Sequence, residues 1–396
     1  MPQMNPVVVV GTGIAGVRAA EALRAHKYLG EILLISPETP CYRPAVSKEA
    51  LKEAPSDGFE LPMKRRSDEF TWLLGYSVQA SNLDEQVVQV VDEAGNASTL
   101  NFEGLIIASG LRPRHLEVPG TLNGRLSLRT LRDAQLLEPH LTPGAQVVII
   151  GSGFIGCEVA ALATQRGCAV TVISPERVPL SSALGEEVGQ RIAAKHRSQG
   201  VEFLTEMSVQ SFGGDHSATS VRLNDGSEII ADVIVEAVGS VANTEWLQGN
   251  SLDLSNGVLT DQFLRAVGTN ASVRVCGDIA RHPNALYGPT VRRIEHWTTA
   301  GDLGTHAGRS LAKQLTHTGE SETPFAAVPA FWSDQYDLQI QSFGLPSIAT
   351  EVAVIESDAD GNCITEYSDA SGLVGVVGIN RTSEVARYRT LLNARI

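Results

Sequence analysis

Two glycine hexapeptides carry the chemistry that this sequence announces. Gly11-Thr12-Gly13-Ile14-Ala15-Gly16 follows the apolar run Val7-Val8-Val9-Val10, and Gly151-Ser152-Gly153-Phe154-Ile155-Gly156 follows Val147-Val148-Ile149-Ile150. Each reads as strand, glycine turn and helix, the helices covering residues 17–24 and 158–166. Glycine removes the side chain where backbone must approach a pyrophosphate, and the N–H groups that open a helix face that anion. One such hexapeptide is weak evidence, since a tight strand–helix turn calls for glycine anyway. Two copies in the same context predict two dinucleotide sites, and so electron transfer between two nucleotide cofactors.

The elements that position these turns recur as well. The next strand is Ile32-Leu33-Leu34-Ile35 in the first copy and Val170-Thr171-Val172-Ile173 in the second; Ser36-Pro37-Glu38 and Ser174-Pro175-Glu176 follow them. Such a unit usually ends this strand with an acid that binds ribose hydroxyls. Serine stands there in both copies, so Glu38 and Glu176 either substitute for the acid or are solvated turn residues. Residues 78–103 alternate apolar and polar positions around 92–96, which predicts a β-hairpin, and residues 201–232 repeat the pattern around Asn224-Asp225-Gly226. Each hairpin leads to an apolar strand ending in glycine, at Gly110 and Gly239, and a third strand over 273–276 ends in Gly277-Asp278. From Pro324 the character changes. Alternation at Trp332, Tyr336, Leu338, Ile340 and Phe343, apolar strands over 352–355 and 373–379, and a closing helix over 383–392 predict a small α+β domain.

Bulk properties agree. A chain of 396 residues suggests two or three domains, and 43% hydrophobic with 19% charged residues is ordinary globular composition. A net charge of −14 disfavours non-specific binding to nucleic acid or to anionic membranes. No signal peptide or membrane-length apolar run is visible, so a soluble, cytoplasmic protein is expected. The five cysteines, Cys41, Cys157, Cys168, Cys276 and Cys363, form no CxxC pair, and the nine histidines show no HxxxH or HxH spacing. No metal site is expected.

The order of parts resembles the two-dinucleotide flavoproteins that include glutathione reductase, and within them the NADH-dependent ferredoxin reductases of Rieske dioxygenase and haem monooxygenase systems. The resemblance spans essentially the whole chain. Its most specific pieces are Arg43-Pro44-Ala45-Val46-Ser47-Lys48, Arg293-Ile294-Glu295-His296-Trp297 and Phe331-Trp332-Ser333-Asp334-Gln335-Tyr336-Asp337. It implies an α/β fold of two Rossmann-like dinucleotide-binding domains and a small α+β C-terminal domain. The divisions would be residues 1–115 with 245–322 for FAD, 116–244 for NAD(P)H, and 323–396.

The resemblance also implies roles. Gly11, Gly13, Ala15 and Gly16 would hold the FAD pyrophosphate, with Glu38 and Arg43 nearby. Asp278 would bind the ribityl chain, Ser109 and Gly110 would line the FAD, and Arg112 would stand at its entrance. Gly151, Gly153, Phe154, Ile155 and Gly156 would hold NAD(P)H, with Glu176 and Gly239. Lys48 and Glu158 match a pair that faces the reacting rings; Trp297 and Trp332 would lie near the flavin and its exposed edge. Physical chemistry supports the pair separately. An ammonium stabilises negative charge that arrives on a flavin, most strongly where water is excluded, and a carboxylate keeps that lysine charged. The bland readings are a surface lysine at a helix start, an acid favourable at a helix N-terminus, and a core aromatic at Trp332.

Departures from the family pattern bear on specificity. Ser174 stands where NADH-preferring relatives carry glutamate, with Arg177 close by, so NADH is the family expectation and NADPH stays open. Leu303 stands where the family often has glutamine. Cys41 occupies a position where tyrosine is usual, and both it and Cys157 read as structural. The implied partner is a small, acidic [2Fe-2S] ferredoxin that takes electrons one at a time. Arg292 and Arg293 would face it, within a rim drawn from Lys64, Arg65, Arg66, Arg309, Lys313, Arg387 and Arg389 or else merely scattered surface charge. A monomer or weak homodimer is expected. The rival readings are an NADH oxidase or a disulfide or monodehydroascorbate-type reductase, which needs a redox-active Cys41, and an apoptosis-inducing-factor-like redox-controlled binding protein.

Overall fold

The computed structural model describes residues 5–52, 58–317, 319 and 321–395. The two glycine turns leave the central strands of two parallel five-stranded sheets of the same build. In the first, Val7–Val10 is flanked by Ile32–Ser36 and Thr71–Leu74 on one side, and by Gly104–Ile107 and Val273–Val275 on the other. In the second, Gln146–Ile150 lies between Ala169–Ser174 with Glu202–Thr205 and Val233–Glu236 with Arg125–Leu126. All four residues of Val7–Val10 are buried, as strands covered on both faces must be. The chain passes between the sheets along Leu111–Pro113 and Ser240–Ala242, which pair antiparallel.

The helix after the first turn, Ile14–Ala25, packs on Trp297–Leu315. A Cβ on Gly304 or Gly308 would come 2.1 Å from the carbonyl oxygen of Ala15 or Ala19, so this approach requires glycine at both places. Leu303 is fully buried in the same core, packed in the helix interface rather than in the wall of the cleft described below.

Both predicted hairpins are three-stranded. Tyr76–Asn82, Val87–Asp92 and Ala97–Asn101 form the first, and Val209–Gly213, Ser220–Leu223 and Glu228–Ile230 the second. The unforeseen turn of the first lacks glycine and proline. It is made instead by Asn82, whose side chain accepts from Glu85 N at 3.1 Å, and by Gln86 at φ +57. The C-terminal unit is an antiparallel sheet of Ala330–Gln335, Leu338–Gly344, Gly372–Ile379, Cys363–Asp369 and Glu351–Ser357 in that spatial order. The expected closing helix is two short ones, Thr382–Ala386 and Tyr388–Asn393. Leu184, Val188 and Ile192 of the helix Ser181–Ser198 join Ile340, Val376 and Val385 in one core, so this unit is built onto the second sheet's helices.

Burial makes the fold sensitive to acid. His196 and His306 are pushed down to about 4, His196 by burial and His306 by burial and then by Arg309. In the unfolded chain both titrate near 6.5, so between about pH 6.5 and 4 the unfolded state binds more protons and stability falls as pH falls. The urea midpoint is expected to be flat above pH 7 and clearly lower at pH 5. An unchanged midpoint at pH 5 refutes this.

Candidate active site

A cleft of about 520 Å³ runs from the first glycine turn, across the ends of the first sheet, to the helix of the second turn and the C-terminal strand Ala330–Gln335. At one end the backbone of Gly11, at φ +107, lies so close to the neighbouring strand that a Cβ would come 2.2 Å from Ala108 O. Gly13 has open space above it and starts the helix Ile14–Ala25 with no capping side chain and no acid in the first turn. Uncapped N–H groups of this kind are free to donate to an anion. Gly16 stands behind the wall; its Cβ would lie 1.9 Å from Gly11 O, so it lets the helix close onto the strand. Ala15 is in the wall.

The second turn divides the work identically. Gly151 has φ +103, Gly153 opens on free space, and a Cβ on Gly156 would come 2.1 Å from Gly151 O. The helix Phe154–Gln165 is likewise uncapped. Phe154, Ile155 and Glu158 line the cleft, whereas Gly151, Gly153, Gly156, Glu176 and Gly239 lie outside its wall. Gly239 is exposed at φ +96 with open space above it.

The serines that stand in for the expected acids build the turns that carry the glutamates. Ser36 Oγ accepts from Glu38 N at 3.2 Å, and Ser174 Oγ accepts from Glu176 N at 3.1 Å and from Ser152 Oγ at 2.7 Å. Ser174 is 1% exposed, so its hydroxyl is spent inside the protein. Glu38 pairs with Arg43 at 3.2 Å, and both line the cleft.

Along the middle, Ser109 donates to Asn243 O at 2.9 Å, Gly110 opens on free space, and Arg112 pairs with Glu245 at 2.6 Å. Asp278 is paired with Arg129 at 2.8 Å. A Cβ on Gly277 would come 2.8 Å from Ala15 Cβ, which brings this strand end against the first helix. Trp297 meets Tyr42 edge-on at 5.3 Å. Arg129 and His296 escaped sequence reasoning, although His296 stood inside a quoted motif. Both line the cleft, and Arg129 Nε and His296 Nδ1 are buried without a partner in the protein. Burial holds the His296 imidazole down at about 4, so it is neutral at pH 7.

At the far end Lys48 Nζ donates to Glu158 Oε1 at 2.5 Å, with side chains 11% and 6% exposed. Ser47 Oγ donates to Glu158 Oε2 and Ser333 Oγ to Oε1, the latter at 2.6 Å. Phe331 packs between Phe154 at 4.7 Å and His296 at 4.9 Å, and Trp332 is in the wall. Arg292 and Arg293 are outside it. Arg293 is held by Glu295 and Asn256, and Arg292 donates to Thr290 O. No cysteine lines the cleft; Cys41 is half-buried and burial pushes its thiol up. Among the described residues no group of side chains could hold a metal ion, and no helix is long and apolar enough to cross a membrane.

Comparison with known proteins agrees with this build. The family model Pyridine nucleotide-disulphide oxidoreductase matches residues 5–304, and Reductase C-terminal matches 330–396. Rhodocoxin reductase of Rhodococcus erythropolis is 32% identical, over 98% of this chain and 89% of that protein. The anthranilate 1,2-dioxygenase system ferredoxin–NAD(+) reductase component of Burkholderia cepacia is 31% identical, over 98% and 94%. The covalent putidaredoxin reductase–putidaredoxin complex contains a chain that superimposes with TM-score 0.88 at 29% identity, covering 99% of this chain and 94% of that one. With two uncapped glycine turns, one cleft running from the first turn to the helix of the second and a C-terminal unit over its end, the chain belongs to the pyridine nucleotide-disulphide oxidoreductase family, in the form that carries a reductase C-terminal domain.

Proposed function

We propose that this protein passes electrons from NADH through FAD, one at a time, to a small ferredoxin that supplies an oxygenase. One observation carries the reading: Lys48 and Glu158 are buried together where the cleft of the first glycine turn meets the helix of the second. The first cradle fits a flavin dinucleotide. It offers uncapped helix N–H groups beside Gly13 to a pyrophosphate, Asp278 to a ribityl chain, and the unpartnered Arg129 Nε and His296 Nδ1 to further polar atoms. Residues 1–115 with 245–322 would form that unit, 116–244 the NADH unit, and 323–396 the cover.

Bound there, FAD supplies the acceptance of a hydride and its release as single electrons. The protein's part is position and field. Lys48 holds positive charge at the ring end of the cleft, Glu158 fixes it in place, and Phe154 packs on Phe331 against water. Trp332 would stand at the edge where a ferredoxin docks. Relatives named as ferredoxin reductases support that acceptor. The absence of any cysteine from the cleft wall speaks against disulfide chemistry.

A partner that is acidic and [2Fe-2S] would need a local positive rim, because this chain is itself acidic. Part of the candidate rim is neutralised at home: Arg65 pairs with Glu69, Arg66 with Asp68, Arg387 with Glu356. The protein would work in the cytoplasm as a monomer or weak homodimer. The deciding experiment is anaerobic stopped-flow: NADH should bleach the flavin band, and the product should then reduce a [2Fe-2S] ferredoxin at a rate that drops as salt rises. A colourless protein that flavin cannot restore, or a reduced one that gives electrons to no ferredoxin, ends the reading.

NADH is favoured over NADPH because Glu176, on the turn held by Ser174, would repel a 2′-phosphate. Glu176→Gln is expected to lower the ratio of kcat/KM for NADH over NADPH about tenfold. A ratio unchanged within twofold places the discrimination elsewhere.

A further inference from the structure

Behind the Lys48–Glu158 pair lies a row of polar side chains that the reaction above does not use. Ser333 Oγ is 2.6 Å from Glu158 Oε1, Gln335 Nε2 is 3.1 Å from Ser333 Oγ, and His196 Nε2 is 2.9 Å from Gln335 Oε1. Tyr336 Oη closes the row 3.4 Å from His196 Nδ1. Ser333, Gln335 and His196 are each 0% exposed. The strand Ala330–Gln335 thus inserts two polar side chains of the C-terminal unit between two helices of the second sheet, Phe154–Gln165 and Ser181–Ser198.

The direction of each hydrogen bond follows from the one before it. Glu158 accepts from Lys48 and from Ser333. Ser333 Oγ then accepts, which it does from the Gln335 amide N–H. That leaves Gln335 Oε1 as acceptor, so His196 carries its proton on Nε2 and presents Nδ1 to the tyrosine hydroxyl. The imidazole is neutral, its proton affinity lowered by burial. Every dipole in the row points at the carboxylate. Such a series polarises cooperatively, and three polar side chains at full burial cost more than apolar ones of the same volume would.

We propose that His196, Gln335 and Ser333 are positioning residues, a one-way hydrogen-bond row through which the C-terminal unit holds the Glu158 carboxyl group set on Lys48. The proposal rests on the electron-transfer reading for its purpose, though not for its test. Lys48 pairs with Glu158 directly and His196 and Tyr336 reach it through the row, while the neighbouring Cys157, whose thiol burial keeps neutral, faces both Glu158 and Glu176.

The test is carbon-13 NMR titration of the glutamate carboxyls in the holoenzyme, the Glu158 signal being the one lost in Glu158→Gln. Losing a donor raises a carboxylate's pKa, so Ser333→Ala should move that titration up by about one unit. The acid limb of NADH-driven flavin bleaching should move with it, with half-saturating NADH changed less than twofold. Ser333→Cys keeps the volume with a weak donor and should follow alanine; Ser333→Thr keeps the hydroxyl and should follow wild type. Gln335→Leu should give a smaller shift of the same sign. A Ser333→Ala titration that overlays wild type, or a cysteine variant indistinguishable from wild type, overturns the proposal. If wild type reduces no ferredoxin, the functional reading fails alone and the carboxyl titration still decides the row.

Discussion

Valine in place of Gly13 is expected to give a colourless, folded protein, and valine in place of Gly153 a yellow one that NADH no longer reduces. The expectation rests on a difference between glycines that look alike in sequence. A Cβ at Gly13 or Gly153 meets no atom beyond its chain neighbours within 4 Å, and the backbone there is extended, with φ −68 and −74. The branch point of a valine therefore fits the apoprotein with no backbone strain, and its methyl groups enter the space in front of the uncapped helix N-terminus, where a pyrophosphate would sit. Gly16 and Gly156 are the opposite case. Their Cβ atoms would run into backbone oxygens at 1.9 and 2.1 Å, so substitution there damages the protein with or without a ligand. The measurements are the flavin band after incubation with FAD, the rate of its bleaching by NADH, and the melting temperature of the apoproteins. Binding should weaken about 10²-fold or more at the mutated turn only. A yellow, NADH-reducible protein from either variant would show that the turns hold no dinucleotide. Loss of the flavin from the Gly153 variant would show that the two turns do not act separately.

That contrast marks how far the residues could be read in advance. The hexapeptides announced two nucleotide sites because glycine in a strand–turn–helix context has few other uses, and the doubled order of strands followed from period and turn signals alone. What stayed hidden were partnerships across long stretches of chain. Arg129 reaches Asp278 across 149 positions, and Ser333 reaches Glu158 across 175; no spacing rule covers such distances. The serines at 36 and 174 looked like missing acids. They prove to be turn-builders for the glutamates two residues on, a role of side-chain hydroxyls that composition does not reveal. The turn at residues 83–86 was invisible for a related reason, since asparagine and glutamine made it where glycine or proline is the usual signal. Lys48 and Glu158 came from resemblance, and the structure adds what resemblance could not, namely that their pair is enclosed and that three donors converge on one carboxylate.

Replacing Lys48 by methionine should slow flavin reduction at saturating NADH by about 10²-fold, the scale on which a preorganised charge beside developing negative charge usually counts. Methionine keeps most of the stem volume and removes only the ammonium, so the loss measures field rather than packing. The carboxylate it leaves behind is 6% exposed and retains only the hydroxyls of Ser47 and Ser333. An unpaired buried charge costs about 3–5 kcal/mol, so the single variant should also melt at lower temperature. Adding Glu158→Gln removes that charge and should return much of the stability without returning the rate. This separation decides the assignment. If the double variant recovers both, Lys48 matters only as a partner for Glu158, and the pair is a structural ion pair that happens to face the cleft. If the rate stays low while the melting temperature rises, the ammonium itself supports the transfer, and Glu158 serves by holding it in place.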